Sequence, residues 1–177
     1  MALPNQVLPG FSASLWVQAD ETALAVSNLS TWTGEIADIV GTAANGTGTA
    51  GYLLPVESIP AFGQDDAVAS FMVAGSRQSD KIPTQSAPTS MTITAAWNPS
   101  SVSLLQVRDD AYSGIVERTY VIAAVDGANT VAYAFNGRIS QFHIDAQPGA
   151  EAKCVFTIHP RVNQYGWSNN TDRKSVV

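Results

Sequence analysis

A chain of 177 residues, 45% hydrophobic and 14% charged, is sized for one domain with a real core and carries fewer charges than soluble domains usually do. Its 15 acidic against 9 basic residues leave a net charge of −6, which excludes a protein that holds nucleic acid by neutralising phosphates. The single cysteine, Cys154, excludes an internal disulfide framework, and so apolar a composition with so few charges points to a surface partly covered by partners.

The N-terminus has no basic stretch leading into an apolar one, and nowhere do about 18 apolar residues run together, so neither a secretory signal nor a membrane-spanning helix is expected. The chain is expected to stay in the cytoplasm in which it is made, unless it leaves within an assembly. Residues 12–18 alternate small or polar with larger side chains and predict a half-buried strand. Residues 20–34 fit neither period, since Leu24, Val26, Leu29 and Trp32 follow no single spacing. Residues 41–51 are glycine and small polar residues, a loop rather than a phosphate cradle, because no Lys-Ser/Thr pair follows the last glycine. Pro55 and Pro60 make residues 52–60 an extended edge segment, each proline removing a ladder donor.

Residues 63–88 are the least regular part, with a strand expected over 67–73. An excursion of about 25 residues in a compact domain is expected to be functional or to order on binding. We read it as an interaction arm, with Gln64, Asp65, Asp66, Arg77, Gln78, Asp80 and Lys81 as contact candidates.

Residues 89–101, TSMTITAAWNPSS, run a strand with one apolar face (Met91, Ile93, Ala95) into a helix start. Trp97 closes the strand, Asn98 is a favoured N-cap, and Pro99 suits the first helical position. The helix is expected over 100–111, with Val102, Leu104 and Leu105 on its apolar face and Gly114 as its stop. No glycine-rich approach and no basic residue before Arg108 accompany it, so the joint reads as structural rather than as an anion site.

A hairpin follows: residues 117–125 run up, Asp126, Gly127, Ala128 and Asn129 turn, and 130–135 run back. A second turn is expected at Asn136-Gly137. Beyond it, Ile139, Gln141 and His143 are expected on one strand face, with Ser140, Phe142 and Ile144 on the other. The last strand is expected over 151–159. A polar tail over 163–177 then follows a domain over 1–162.

Signals for chemistry are poor. His143 and His159 stand 16 positions apart with no cysteine pair or His-Glu constellation, so no metal site is expected. There is no Gly-x-Ser-x-Gly elbow. Asp65-Asp66 and Asp109-Asp110 read as solvated charges, because general acid–base pairs normally come from separate elements. Cys154 lies in a strand-like stretch and reads as a small buried hydrophobe. The sequons at Asn28, Asn45 and Asn169 read as incidental. The chain is expected to be no enzyme and to use no cofactor.

An ordered series of features carries a resemblance. Pro4-Asn5 and Leu15-Trp16-Val17 come first, then Thr89-Ser90-Met91-Thr92-Ile93 and Ala96-Trp97-Asn98-Pro99. Arg118-x-Tyr120-x-Ile122, Asp126-Gly127, Phe135-x-Gly137-x-Ile139-Ser140 and the closing strand 153–159 complete it. Together they resemble the major tail tube proteins of long-tailed bacteriophages, of the lambda-like siphophage type. The series spans most of the chain and residues 20–60 match least; no appended immunoglobulin-like domain is expected.

The resemblance implies an all-β dominated fold, a β-sandwich or partly open barrel with one flanking α-helix. It implies hexameric rings around a channel, stacked into a tube, with residues 63–88 reaching the adjacent ring. Completion of open sheet edges by another chain, and closure of a head-to-tail contact into a ring, agree with it. The implied partners are further copies of the chain and other tail proteins (tape measure, terminator, baseplate or tip). Double-stranded DNA would pass without specific binding, past a wall on which Asp and Glu outnumber Lys and Arg. No membrane is involved, and the place is the virion tail, assembled in the host bacterial cytoplasm. Two other readings stand beside this one. The first is a module binding carbohydrate or a host surface through Trp32, Tyr52 and Trp167; the second is a related tail terminator or hub subunit.

Overall fold

Period-two alternation of apolar and polar residues dominates the chain, and the structure follows it. A computed structural model describes residues 12–25, 29, 35–41, 51–72, 79–126 and 129–168. Its first elements are β1 (Ser12–Gln18), α1 (Glu35–Gly41), β2 (Gly51–Leu54), β3 (Gln64–Met72), β4 (Ser79–Pro88) and β5 (Met91–Ala96). They are followed by α2 (Val102–Ser113), β6 (Arg118–Asp126), β7 (Asn129–Asp145) and β8 (Lys153–Ser168).

Six strands form one antiparallel sheet in the order β2-β1-β6-β7-β8-β5, while β3 and β4 form a separate two-stranded ribbon. The sheet continues past its own edges. Just beyond β2, the Glu57 N–H donates to the Thr94 carbonyl (2.9 Å), and the Ala96 N–H donates to the Pro55 carbonyl (3.1 Å). Val56 and Ala95 form an antiparallel bridge between them. The two edge strands therefore meet, and the sheet rolls into a nearly closed barrel that leaves little edge unpaired. The resemblance implied a β-sandwich or partly open barrel; the chain is dominated by strand as expected, and of the two it forms the barrel.

The two faces of the sheet are buried differently. Leu15, Val17, Leu54, Met91, Ile93, Tyr120, Phe135, Phe156 and Ile158 fill the barrel, joined by Leu104 and Val107 of α2. Each fully buried side chain of this size is worth about 1.5–3 kcal/mol. On the outer face, Val121, Ala123 and Ala134 pack with Leu24, Leu29 and the α1 residues Ile36 and Ile39. This short helix adds to the single flanking helix expected. A closed polar clip also holds the segment around Leu24. The Leu24 N–H donates to Thr119 Oγ1 (2.9 Å), Thr119 Oγ1 donates to Asn136 Oδ1 (2.8 Å), and Asn136 Nδ2 donates to the Leu24 carbonyl (2.8 Å).

Three sequence expectations change. No turn forms at Asn136-Gly137: β7 runs straight through, with a register shift between Phe135 and Gly137. Asn136 is buried in the polar clip, and a side chain at Gly137 would press on β8, since its Cβ would stand 3.1 Å from the His159 carbonyl oxygen. Close strand approach, rather than turning, is what the glycine provides. The faces expected for 139–144 also fail, because Ile139 and Phe142 are both buried. A second register shift between Ser140 and His143, with Gln141 at φ 58°, inserts one residue and restores the apolar side to the interior. Finally, β8 continues to Ser168, so residues 163–168 of the expected tail pair with β7 as strand. Of the loop expected over 41–51, Gly41 ends α1 and Gly51 begins β2; residues 42–50, residues 169–177 and the sequon asparagines Asn28, Asn45 and Asn169 lie outside the described residues.

A Cβ on Gly51 would stand 2.1 Å from the Ile39 carbonyl oxygen, so β2 and α1 approach to backbone contact there. Gly51→Ala is therefore expected to force the two apart and cost about 1–3 kcal/mol. Urea unfolding should show this as a lowered midpoint at unchanged slope; an unchanged midpoint would refute the close approach.

Candidate functional site

The arm over 63–88, expected as the least regular part, is a regular hairpin. β3 and β4 pair from Gln64↔Pro88 to Met72↔Ser79, with a register shift between Asp66 and Val68. Pro83 and Pro88 are compatible with it because a two-stranded ribbon consists only of edges. Ala67, Val68, Ala69, Ser70 and Phe71 are exposed one after another, so both faces of the ribbon are open. Val68 is 56% exposed, Phe71 47% and Ile82 47%. The register puts Phe71 and Ile82 on one face, with Val68, Lys81 and Pro83 on the other.

The contact candidates read from sequence do not form one cluster. Gln64, Asp65 and Asp66 pair with Pro88, Ala87 and Ser86 at the base, while Asp80 and Lys81 pair with Phe71 and Ser70 near the far end. About 20 Å of strand separates the two groups. Arg77 and Gln78 lie outside the described residues. The exposed apolar side chains of the ribbon were missed because AVASF reads as an ordinary core strand when its partner is unknown.

The ribbon base is tied to the barrel. The Thr89 N–H donates to the Gly63 carbonyl (3.1 Å), and Phe62 packs on Tyr133 with ring centroids 5.0 Å apart. Directly after β4, Ser90 Oγ bonds His159 Nδ1 (2.9 Å), while Ser140 Oγ bonds His159 Nε2 (2.6 Å). The imidazole thus joins the end of the ribbon to β7 and β8. A hydroxyl stands on each ring nitrogen, one from the end of the ribbon and one from β7. The arrangement is a clamp.

The joint at residues 97–101 differs in detail from the expected cap. Trp97 closes β5, its N–H donating to the Ala152 carbonyl (2.8 Å) and its ring meeting Phe142 edge-on at 5.6 Å. Asn98 does not cap the helix. Its Oδ1 accepts from the Ser100 N–H (2.9 Å) and its carbonyl from the Ser101 N–H (3.0 Å), forming a turn with Pro99 at the second position. Asn-Pro satisfies that turn as well as it satisfies a helix start, so sequence does not separate the two. The N-cap is Ser101, whose φ of −79° and ψ of 115° are extended and whose side chain makes no cap bond. Gly114 is the stop expected, left-handed at φ 66°, with its N–H on the Asp110 carbonyl.

The buried face of α2 is Ser103, Leu104, Val107 and Asp110, whereas Val102 is exposed and Leu105 only half-buried. Asp110 is not a solvated charge. Arg118 grips it side-on with one edge of its guanidinium, Nε on Oδ2 (2.5 Å) and Nη2 on Oδ1 (2.9 Å), and Nη1 donates to the Ala19 carbonyl (2.9 Å). Burial pushes the Asp110 carboxyl up, against the pull of Arg118. The neighbouring Asp109 meanwhile pairs with Arg108 at the surface.

Among the described residues no group of three His, Cys, Asp or Glu is placed to hold a metal ion. Cys154 is buried as expected, and burial raises its thiol pKa. Of the aromatics considered for sugar stacking, Tyr52 packs against the core, Trp32 lies outside the described residues, and Trp167 belongs to β8 opposite Ala132. Where the barrel seam meets the start of α2, a cleft of about 370 Å³ is lined by Leu53, Pro55, Ala96, Trp97, Asn98 and Ser101.

Removing one partner of a buried ion pair strands the other charge, so Arg118→Met is expected to cost about 3–5 kcal/mol in chemical denaturation. Arg118→Met with Asp110→Leu should recover part of that loss, and an equal or larger loss in the double variant would argue against the pair. Asn98→Ala, by contrast, should cost no more than about 1 kcal/mol, as the loss of one exposed turn bond.

No protein-family model and no curated protein sequence matches the chain. Solved structures do. The anti-feeding prophage baseplate, 6-fold symmetrised, contains a chain with TM-score 0.58 at 10% identity, covering 98% of this chain and 100% of that one. The sheath/tube terminator of an extracellular contractile injection system, PVC, gives TM-score 0.62 at 10% identity over 94% of this chain and 99% of that one. The SPP1 tail tube gives TM-score 0.53 at 9% identity over 87% of this chain and 75% of that one. Contractile injection systems stand beside the SPP1 tail in this set, so the lambda-like type is not singled out. At such identities the likeness carries the fold, and the fold is that of phage-type tail tube proteins.

Proposed function

We propose that the chain is a structural subunit of a phage-type tail tube, forming stacked hexameric rings around a channel. The observation that carries the reading is the ribbon: a hairpin open on both faces, clamped at its base to a nearly closed barrel of the tail tube fold. An isolated two-stranded hairpin is marginal in water, so this one is built to be completed by another chain. The ribbon then joins one ring to the next. The channel conducts double-stranded DNA during genome delivery, and the net charge of −6 supports a wall that repels phosphate. Tape-measure, terminator and baseplate or tip proteins are the other partners, the virion tail is the place, and assembly occurs in the host cytoplasm. The subunit does its work by shape and carries no catalysis.

A second reading, a ring that ends a tube, is supported by the likeness to a sheath/tube terminator over 94% of this chain.

Negative-stain microscopy of the purified protein separates these readings. Stacked rings or tubes are expected for the tube subunit, isolated rings for a terminator, and a glycan-binding monomer would overturn both. Replacing residues 64–88 by a short Gly-Ser link should preserve the circular dichroism of the barrel and abolish stacking. A cryo-EM reconstruction should show more carboxylates than Lys and Arg on the channel wall, and a net basic wall would remove the repulsion argument.

A further inference from the structure

We infer that residues 55–61 form a strap that lifts from the barrel as a unit, opening the seam and uncovering the edge of β5 while the six-stranded sheet and the ribbon base stay in place. The inference concerns the single chain and does not depend on the tube reading.

The seam is the least stitched joint of the sheet. Two backbone bonds cross it, from the Glu57 N–H to the Thr94 carbonyl (2.9 Å) and from the Ala96 N–H to the Pro55 carbonyl (3.1 Å), on either side of the single Val56–Ala95 bridge. Elsewhere the shortest pairing, β1 with β2, runs over four residues, and β5 is held to β8 over six. No other backbone bond crosses the seam among the described residues. Pro55 and Pro60 bring no N–H to the strap, and the Val56 N–H turns back to the Leu54 carbonyl (2.9 Å).

Packing is equally light. No residue of the strap is fully buried: Val56 and Ile59 lie half-buried against the core, while Pro55, Glu57, Ser58 and Ala61 are exposed. The Lys153–Glu57 pair that spans the joint has side chains 41% and 38% exposed, so water and salt screen it. The cleft of about 370 Å³ lined by Leu53, Pro55, Ala96 and Trp97 lies beside the strap, and atoms along such a gap lose their dispersion partners on that side. Segments with few buried contacts and solvent-exposed hydrogen bonds open at lower free energy than the fold as a whole.

Both ends of the strap are fixed. Leu54 is buried at the end of β2, where it pairs with Leu15. At the other end Phe62 lies on Tyr133, and the Gly63 carbonyl accepts from the Thr89 N–H. Lifting the stretch between them breaks the two seam bonds and the Lys153–Glu57 pair, and withdraws Val56 and Ile59 from the core. β5 keeps β8 and β2 keeps β1, so the strand order survives. The opening uncovers an edge: the Thr94 carbonyl and the Ala96 N–H lose their partners together, and the barrel wall becomes accessible at one defined place.

Amide hydrogen exchange of the full-length protein, resolved by residue in NMR at a concentration where it is monomeric, tests the strap. The Glu57 and Ala96 amides are expected to be protected about 100-fold less than those of Tyr120 and Ile122 in β6, which has a partner strand on each side. Low urea concentrations should leave the two seam amides nearly unchanged, because little surface is exposed when the strap lifts. Equal protection at all four amides, falling together with urea, would overturn the inference. Val121→Ala gives a second readout. Val121 packs in the outer cluster with α1, on a strand two places from β2 and three from β5. Its truncation should lower global stability and speed exchange at Tyr120 and Ile122 by about ten-fold, while Glu57 and Ala96 change by less than about two-fold. The same acceleration at the seam amides would mean that they exchange only through global unfolding, and would refute the strap.

Discussion

Closure of the barrel at residues 54–57 is the constraint from which the remaining layout follows. β2 ends at Leu54, and just beyond it the Pro55 carbonyl accepts from the Ala96 N–H while the Glu57 N–H donates to the Thr94 carbonyl. Lys153 and Glu57 pair across the same junction (2.5 Å). β5 is thereby held on both sides, by β8 and by the seam. Residues 58–90 must then depart from and return to one point on the barrel wall. The ribbon is what that excursion becomes, and the Thr89–Gly63 bond and the His159 clamp fix where it starts. Its placement is a consequence of closing the barrel.

Closing a sheet creates one interior and one exterior, and each needs its own cover. The interior is filled by strand side chains and plugged by α2, which the Asp110–Arg118 pair fastens to the beginning of β6 and the end of β1. A charged fastener inside an apolar plug is expensive to desolvate, and a hydrophobic pair of equal volume is often as stable. Its use here is directional. The fork geometry of arginine fixes the angle of the helix C-terminus, where Gly114 ends it, in a way that interchangeable apolar contacts do not. Part of the exterior is covered by α1 and the segment around Leu24, while among the described residues Leu53, Phe71 and Ile82, like Val102, Tyr112, Ile115 and Ile144, stay exposed.

How much of this was legible in the sequence depends on how local the cause is. β1 and the pairing of β6 with β7 were readable because alternation acts within a few residues; of the turn expected over 126–129, Asp126 and Asn129 pair with each other as strand, and residues 127–128 lie outside the described residues. Gly137 and Gln141 were not, because what decides them is the distance to β8 and the need to keep Phe142 inside. Asp110 was misread for a similar reason. Its sequence neighbours Arg108 and Asp109 are surface charges, and the partner that buries it lies eight residues away on another element. α1, at seven residues, is too short for helical period to show and is held by its packing on the sheet. For the arm, the two prolines concealed a hairpin, and attention to polar residues concealed the apolar ones that face outward.

That last reversal bears on how a subunit of this design assembles. Polar rim contacts steer encounter and are screened by salt, whereas a buried apolar anchor supplies most of the affinity in a small interface. A ribbon carrying Phe71 and Ile82 on one face offers apolar side chains of that kind.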